Sequence, residues 1–355
     1  MQYLMIKIPQ FLLLFIIILT VAGCESSRDF GGDYDFVLSG QKCGLVRLTE
    51  RASMPDFTMG CLDTAGLATA VERSLNYLSK PSSKNYYPVC GISHSDMVET
   101  LEEFKKLLSA GMGPVDLNNE INKRFDIYMA KGSRLSGKVL FTGYFSPVIE
   151  GSRIETENFK YPLYKLPENA VKDTSAKVLG RRVSSGEIVP FAAARELEAS
   201  GELSGNELVW LGSSSDVYTV SLQGGALIKL ADGGEMSVGY AGSNGYDFVT
   251  GTPREANKRL VFFKEVPAQV RGSINEQLVP MRSAACSDAM FPPGGLAYMQ
   301  GHMPIESADR IVNTVYSGFV LNQDSGSAFT GADKCDIYMG QGDKAGQLAK
   351  NVYGK

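Results

Sequence analysis

Three aspartates near the carboxyl end of the chain are candidates for a catalytic acid or base. Asp288, Asp324 and Asp336 are each flanked by apolar or small residues rather than by a run of charges. If residues 335–339 form a strand, Asp336 and Tyr338 share one face of it. Apolar surroundings raise the pKa of a carboxyl group, as a general acid near neutral pH requires. An aspartate beside glycine is more often a turn residue, so composition alone does not establish a catalytic role.

The composition argues against most other reaction classes. His94 and His302 are the only histidines, and no Gly-x-Ser-x-Gly motif occurs, so a Ser-His-Asp triad has almost no candidates. Without a Cys-x-x-Cys pair, a zinc site of sulfur and imidazole is not expected. The Gly-rich segment at residues 222–225 lacks the Gly-x-Gly-x-x-Gly pattern of a phosphate loop. A net charge of -4 does not indicate nucleic-acid binding. We therefore expect no metal, no organic cofactor and no nucleic-acid partner.

The elements that must hold these aspartates begin with a helical region. Apolar residues recur every three or four positions in three stretches: Leu67, Val71, Leu75 and Leu78; Met97, Leu101, Phe104 and Leu108; and Leu117, Ile121, Phe125 and Tyr128. Asp63 or Thr64 is expected to cap the first helix, and the Ser93-x-x-Asp96 motif predicts a capping box for the second. The third is expected to begin at Pro114. We interpret all three stripes as packing faces.

From Val139 onward the pattern becomes extended. Short strands are expected near residues 139–142, 217–222, 226–230, 236–240 and 259–264, with one helix from Pro190 to Ser200. The segment from Leu230 to Gly234 is typical of a hairpin turn. Short strands separated by glycine and proline turns favour barrels over a doubly wound α/β sheet.

The first 23 residues are typical of a lipoprotein signal peptide. Lys7 gives a weakly positive start, and the apolar run at 11–21 is too short to span a bilayer comfortably. The small residues before Cys24 form a lipobox, which predicts acylation of the Cys24 sulfur and a stable membrane anchor. Residues 24–34 are expected to be a tether. Glu25 after the cysteine favours the outer membrane, on its periplasmic face.

Five further cysteines remain in an expected oxidising compartment. They are Cys43, Cys61, Cys90, Cys286 and Cys335. Some are expected to pair, and an odd number leaves at least one thiol. Cys286 and Cys335 lie close in sequence to Asp288 and Asp336, so they could form a disulfide or lie separately buried.

The order of several short motifs resembles that of one enzyme family, membrane-bound lytic murein transglycosylase A. The motifs are Leu140-Phe141-Thr142-Gly143-Tyr144-Phe145-Ser146-Pro147, Tyr161-Pro162-Leu163-Tyr164, Leu222-Gln223-Gly224-Gly225-Ala226, Val238-Gly239-Tyr240-Ala241-Gly242-Ser243-Asn244-Gly245, Leu260-Val261-Phe262-Phe263, Ser287-Asp288, Asp324-Ser325-Gly326-Ser327-Ala328 and Asp336-Ile337-Tyr338. The family usually has tyrosine at Phe145 and Ser-Gly at Gly225-Ala226. The matches span roughly residues 135–345, and the helical part agrees only in general character.

This resemblance implies a mainly β fold with N-terminal helices. Residues 35–148 and 266–355 would form a double-psi β-barrel domain that includes the helices and the three-aspartate region. Residues 149–265 would form a smaller inserted β domain, with the glycan in a cleft between the two.

The resemblance also implies a lytic transglycosylase that cleaves peptidoglycan strands and forms 1,6-anhydro-N-acetylmuramic acid. Asp336 would be the single acid and base, with Asp324 and Asp288 shaping its hydrogen bonds. The implied substrate-binding residues are Tyr144, Gln223, Gly224, Tyr240 and Asn244. Two alternatives remain open: a glycan hydrolase on the same barrel, and a catalytically inactive peptidoglycan-binding lipoprotein. The resemblance does not identify protein partners.

Overall fold

The computed structural model of the protein describes residues 2–7, 43–50, 54–132, 139–173, 177–247, 249, 256–267, 270–307, 310–326 and 331–354. The chain divides into two compact units. The first, called the aspartate-bearing unit, comprises Met1–Tyr144, Arg271–Gly340 and Gln347–Lys355. The second, called the inserted unit, comprises Phe145–Val270 and Gln341–Gly346.

Eighteen strands are present among the described residues. In chain order they are β1 Gln2–Lys7, β2 Leu45–Arg47, β3 Phe125–Ala130, β4 Leu140–Ser146, β5 Val148–Ser152, β6 Tyr161–Lys165, β7 Ala170–Lys172, β8 Val178–Arg182, β9 Ile188–Val189, β10 Glu207–Leu211, β11 Gly225–Leu230, β12 Glu235–Ser243, β13 Val261–Val266, β14 Ser283–Ala285, β15 Leu296–Ser307, β16 Arg310–Asp324, β17 Lys334–Gln341 and β18 Tyr353–Gly354.

Seven α-helices and one short 3-10 helix at Pro81–Tyr86 complete the described elements. The α-helices are α1 Thr58–Cys61, α2 Leu67–Leu78, α3 His94–Ser109, α4 Pro114–Arg124, α5 Ala194–Ala199, α6 Ser214–Gln223 and α7 Gly342–Asn351. Among the described residues, no helix is both long and apolar enough to cross a membrane.

The helices α2, α3 and α4 confirm the predicted helical region. The capping box of α3 is present: the Ser93 side chain accepts from the backbone N–H of Asp96, and the Asp96 carboxylate accepts from that of Ser93. The predicted cap of α2 is wrong, because Gly66 in the left-handed conformation occupies the N-cap without a side-chain hydrogen bond. The third helix is shorter than predicted. It ends at Arg124, and the residues that follow form β3.

The aspartate-bearing unit is built on one nine-stranded sheet. Its strand order is β18-β4-β17-β14-β16-β15-β1-β3-β2. The short strand β14 is parallel to β16 and antiparallel to β17, so it joins distant parts of the chain. Aromatic side chains pack between this sheet and the helices: Phe57 contacts Tyr298 with ring centroids 4.7 Å apart, and Phe104 contacts Phe319 at 5.2 Å.

A closed barrel forms the core of the inserted unit. It consists of β10-β5-β11-β12-β13-β6, and β7-β8-β9 form a separate three-stranded sheet. The β11–β12 hairpin confirms the turn predicted at Leu230–Gly234. The strand predicted at 217–222 is wrong, since these residues belong to α6. Ser213 caps that helix, and its apolar residues Val217 and Val220 are spaced for one buried helical face.

The predicted fold class was mainly β with N-terminal helices, a double-psi β-barrel domain and a smaller inserted β domain. The mainly β character, the helices and the inserted β unit are confirmed. For the described residues, strand pairing gives an open order in the aspartate-bearing unit, while the closed barrel belongs to the inserted unit. Cys43 and Cys90 form a disulfide, as expected for a chain in which some cysteines pair.

Candidate active site

Strand pairing brings two of the predicted aspartates onto either side of one residue. Ala285 on β14 lies opposite Asp324, the last residue of β16, and also opposite Asp336 on β17. Asp288 lies in a turn, three positions after the end of β14. Asp324 lies close enough to Asp288 and to Asp336 for its charge to raise the pKa of each, and we call these three residues the aspartate cluster.

Asp324 is the most firmly held member of this cluster. Its Oδ2 accepts a hydrogen bond of 2.9 Å from the hydroxyl of Tyr144. Its Oδ1 accepts bonds of 2.9 Å from the backbone N–H groups of Ser273 and Ser325. Burial raises the pKa of Asp324, while these three donors oppose the rise because they favour the carboxylate. Asp324 is therefore fixed in orientation.

Asp336 has a different environment. Its Oδ1 accepts a hydrogen bond from the hydroxyl of Thr142 on β4, and the ammonium group of Lys334 lies 3.8 Å from the same oxygen. The Asp336 side chain is 21% exposed, so a substrate atom can reach it. Burial raises the pKa of Asp336 to about 6; Lys334 counteracts this rise, and the charge of Asp324 adds to it. A carboxyl group with this pKa can be protonated or ionised near neutral pH.

Asp288 shares the raised pKa but makes different contacts. Burial, followed by the charge of Asp324, raises the pKa of Asp288 to about 6, and hydrogen bonds from the side chains of Asn322 and Ser325 lower it. Asn322 is itself held by donating to the backbone carbonyl of Phe291 at 3.0 Å. The cluster thus contains two carboxyl groups with a pKa near neutrality, so a raised pKa alone does not select the acid.

Tyr144 also belongs to this cluster. Besides its bond to Asp324, its ring lies 5.3 Å from that of Tyr338, measured between centroids. Burial and the charge of Asp324 raise the pKa of the Tyr144 hydroxyl, which therefore stays a hydrogen-bond donor. The Tyr144 hydroxyl is thus bonded to Asp324, and its predicted contact with substrate stays a prediction.

The other predicted binding residues lie in the inserted unit. Gln223 ends α6, and its Oε1 accepts from the backbone N–H of Phe145 at 3.1 Å. Gly224 follows with φ of 78°, a left-handed conformation that glycine adopts without strain. Tyr240 on β12 is 49% exposed. Asn244 is 6% exposed, and its amide bonds to the backbone of the inserted unit through both nitrogen and oxygen. Its polar atoms are thus engaged within the fold.

The sequence interpretation missed Thr142 and Lys334 as site residues. Each lies two positions before a residue that was identified, Tyr144 and Asp336 respectively, on the same strand. Because side chains of a strand alternate in direction, a spacing of two places them on the same face. Strand alternation could therefore have found both. The predicted acylation site, Cys24, lies outside the described residues.

Comparisons with known proteins agree on both parts of the chain. A family model described as the MltA specific insert domain matches residues 140–253, and one described as the 3D domain matches residues 282–353. The second match includes all three aspartates of the cluster.

The curated relatives and solved structures that match this chain are also lytic murein transglycosylases. The chain is 27% identical over 279 residues to membrane-bound lytic murein transglycosylase A of Escherichia coli K12, covering 68% of this chain and 70% of that protein. A crystal structure of a membrane-bound lytic murein transglycosylase from Agrobacterium tumefaciens matches with a TM-score of 0.67 and 20% identity, covering 88% of this chain and 95% of that one. The structure of E. coli MltA with bound chitohexaose gives a TM-score of 0.65 at 20% identity, covering 92% and 95%. At this identity, the structural matches establish the fold.

Proposed function

Because this chain belongs to the membrane-bound lytic murein transglycosylase A family, we propose that it cleaves peptidoglycan at the β-1,4 bond between N-acetylmuramic acid and N-acetylglucosamine. The product would end in 1,6-anhydro-N-acetylmuramic acid. The E. coli relative has been crystallised with chitohexaose, a β-1,4-linked amino-sugar chain, which supports a glycan substrate. The observation that carries the proposal is the aspartate cluster, in which Asp324 and Asp336 lie on either side of Ala285 and Asp336 has a pKa of about 6.

Asp336 would act first as an acid and then as a base. In the first step its carboxyl proton moves to the glycosidic oxygen as the bond from that oxygen to the muramic acid C1 breaks. In the second, the 6-hydroxyl oxygen of the same sugar bonds to C1, and the Asp336 carboxylate takes the hydroxyl proton. The carboxyl group is thereby regenerated. Because the substrate supplies its own nucleophile, the second carboxylate of an ordinary glycosidase is not needed.

The residues around Asp336 would orient it, adjust its pKa and bind the glycan. Thr142 orients Oδ1 through its hydrogen bond. Burial keeps the pKa of Asp336 high enough for proton donation, and the charge of Asp324 adds to this rise. Tyr144 in turn fixes Asp324. We also propose that Gln223, Gly224 and the exposed Tyr240 contact glycan, because amide groups suit sugar hydroxyls and an aromatic face suits a sugar ring. Asn244 is not included, since its amide is already bonded.

The most direct test combines one substitution with product analysis. Asp336→Asn keeps the shape of the side chain but removes its proton, so turnover of purified murein should fall by about 10⁴-fold or more. Murein binding, measured by sedimentation with insoluble murein, should remain. Asp324→Asn should cost less, because its role is orientation. Asp333→Asn is the matched control: this residue is exposed, lies three positions from Asp336, and should retain normal turnover.

Mass spectrometry of wild-type products in heavy-oxygen water separates the alternatives. Anhydro ends without solvent oxygen support the proposal. Reducing ends that carry one solvent oxygen would instead indicate a hydrolase, for which Asp288 supplies a second carboxyl group of similar pKa. Intact glycan from a folded protein would indicate a binding protein. Near-normal turnover in Asp336→Asn with complete loss in Asp288→Asn would reassign the acid.

The lipid anchor remains a separate proposal. The relatives are named as membrane-bound, and the lipobox before Cys24 supports acylation and attachment to the outer membrane. Cleavage there would also remove β1, which lies between β15 and β3 in the sheet and whose Met5 side chain is fully buried. The intact mass of membrane-extracted protein tests this. A chain that begins at Cys24 and carries acyl groups supports the anchor, whereas an unacylated chain that retains residues 2–7 would contradict it.

A further inference from the structure

Two buried cysteines lie side by side next to the aspartate cluster. Ala284 and Ala285 on β14 pair with Ile337 and Asp336 on β17, so Cys286 and Cys335 are the next facing pair along the same ladder. Their Sγ atoms are 3.5 Å apart, and the two residues are 1% and 0% exposed. A disulfide needs an S–S separation of about 2.05 Å, so closing this pair requires a movement of about 1.5 Å. Facing positions on paired strands provide the short separation that a disulfide needs.

We propose that Cys286 and Cys335 are a modification site: in the mature protein they form a second disulfide, which links the strand of Asp336 to the segment that carries Asp288. The two cysteines are 49 positions apart, and the loop they would close contains Asp288 and Asp324. The bond would hold β14 and β17 together at the position where the carboxyl groups gather. This proposal concerns thiol chemistry and does not depend on the proposed reaction.

The chain itself indicates that it folds where disulfides form. Cys43 and Cys90 are already joined, and disulfides persist in oxidising compartments. Oxidation of the second pair requires a disulfide oxidant, such as a thiol–disulfide oxidoreductase or oxidised glutathione. One cysteine thiolate attacks the oxidant and expels one thiolate. The other cysteine thiolate then attacks the resulting mixed disulfide and expels the second. Both protons leave, and the two electrons reduce the oxidant to two thiols.

Burial determines when this reaction can take place. Neither sulfur is accessible to a protein oxidant in the folded state, so the exchange must occur during folding, before β14 and β17 are covered. Cys61 provides a contrast within the same unit. Burial raises the pKa of the Cys61 thiol to about 12, which keeps it protonated and unreactive. It is the natural control thiol.

Peptide mapping of the full chain tests the proposal directly. The protein is extracted under N-ethylmaleimide, denatured with the reagent still present, digested without reduction and analysed by mass spectrometry. The expected result is a Cys286–Cys335 cross-linked peptide beside the Cys43–Cys90 peptide, with Cys61 alkylated. Recovery of both Cys286 and Cys335 as alkylated thiols, in protein that retains the Cys43–Cys90 link, would overturn the proposal.

Thermal unfolding provides an independent measurement. In a Cys43→Ala/Cys90→Ala background, protein folded with oxidised glutathione should melt about 5 °C or more above protein folded with reduced glutathione, because closing a long loop restricts the unfolded chain. Adding Cys286→Ala should abolish this difference, whereas Cys61→Ala should leave it intact. A difference that survives Cys286→Ala would exclude the pair as its source, and equal melting temperatures in the two redox buffers would also contradict the bond.

Discussion

The raised pKa of Asp336 predicts that removing its charge stabilises the protein. In the unfolded chain the group titrates near its ordinary value of 3.8, whereas in the folded protein its pKa is about 6. Between these values the folded state binds the proton and the unfolded state does not. Stability due to this group is therefore present at low pH, declines as the pH rises from about 4 to about 6, and stays reduced above that range.

The magnitude follows from the size of the shift. A change of about two pKa units corresponds to about 3 kcal/mol, and the 21% exposure of the side chain reduces this to about 2 kcal/mol. The Asp336→Asn variant carries no charge at this position at any pH, so it avoids the free-energy cost of burying an ionised carboxylate. We expect the variant to exceed the wild type in free energy of unfolding by about 2 kcal/mol at about pH 7.5, and to match it at about pH 4.

Urea unfolding followed by circular dichroism at both pH values measures this difference. Asp333→Asn serves as the control, because its exposed side chain predicts no gain at either pH. A variant at Asp336 that is less stable than the wild type at both pH values would refute the reasoning. That result would mean that the carboxylate is stabilised in the fold, and that burial does not dominate its environment.

Two further predictions concern how the rate of murein cleavage depends on pH. This rate should fall with rising pH as Asp336 loses its proton. Lys334→Gln removes the cation 3.8 Å from the Asp336 carboxylate, so the pKa of Asp336 should rise. The decline in kcat/KM should therefore move to higher pH by about half a unit or more. The control Lys106→Gln, at an exposed position on α3, should leave the pH profile unchanged. Asp324→Asn removes a negative charge that raises the pKa of Asp336, so its remaining activity should decline at lower pH than in the wild type. Shifts of the same sign in both variants would contradict the assigned electrostatics.

Local sequence signals predicted the elements but not their assembly. The capping box at Ser93 and the β11–β12 hairpin each depend on a few neighbouring residues, and both were predicted correctly. The α6 helix was missed because Val217, Tyr218 and Val220 are β-branched or aromatic and favour strands. The α6 helix is stabilised at its start by the Ser213 cap, which lies outside the segment predicted as a strand.

The cluster itself depends on contacts that no local pattern contains. Asp324 and Asp336 lie on either side of β14 because that strand lies between β16 and β17 in the sheet, with Ala285 in register with both aspartates. Residue patterns alone left Asp336 as either a turn residue or an acid, and only the family resemblance placed the three aspartates together. Burial, which sets the pKa of Asp336, also follows from the assembled sheet and not from adjacent residues.

An aspartate held in one orientation beside two carboxyl groups with a pKa of about 6 suits a reaction in which a single group must serve as both acid and base. Burial raises the pKa of all three aspartates. Three hydrogen-bond donors oppose this rise at Asp324, and the charge of Asp324 adds to the rise at Asp288 and Asp336. At neutral pH a carboxyl group with its ordinary pKa would be protonated in about one molecule in a thousand, whereas a pKa of about 6 gives about one in ten. The protonated fraction needed for the first step is thus roughly a hundredfold larger, while a carboxyl group that has given up its proton still serves as the base in the second step. The same charge repulsion and burial that lower stability near neutral pH thus supply the proton on which cleavage depends.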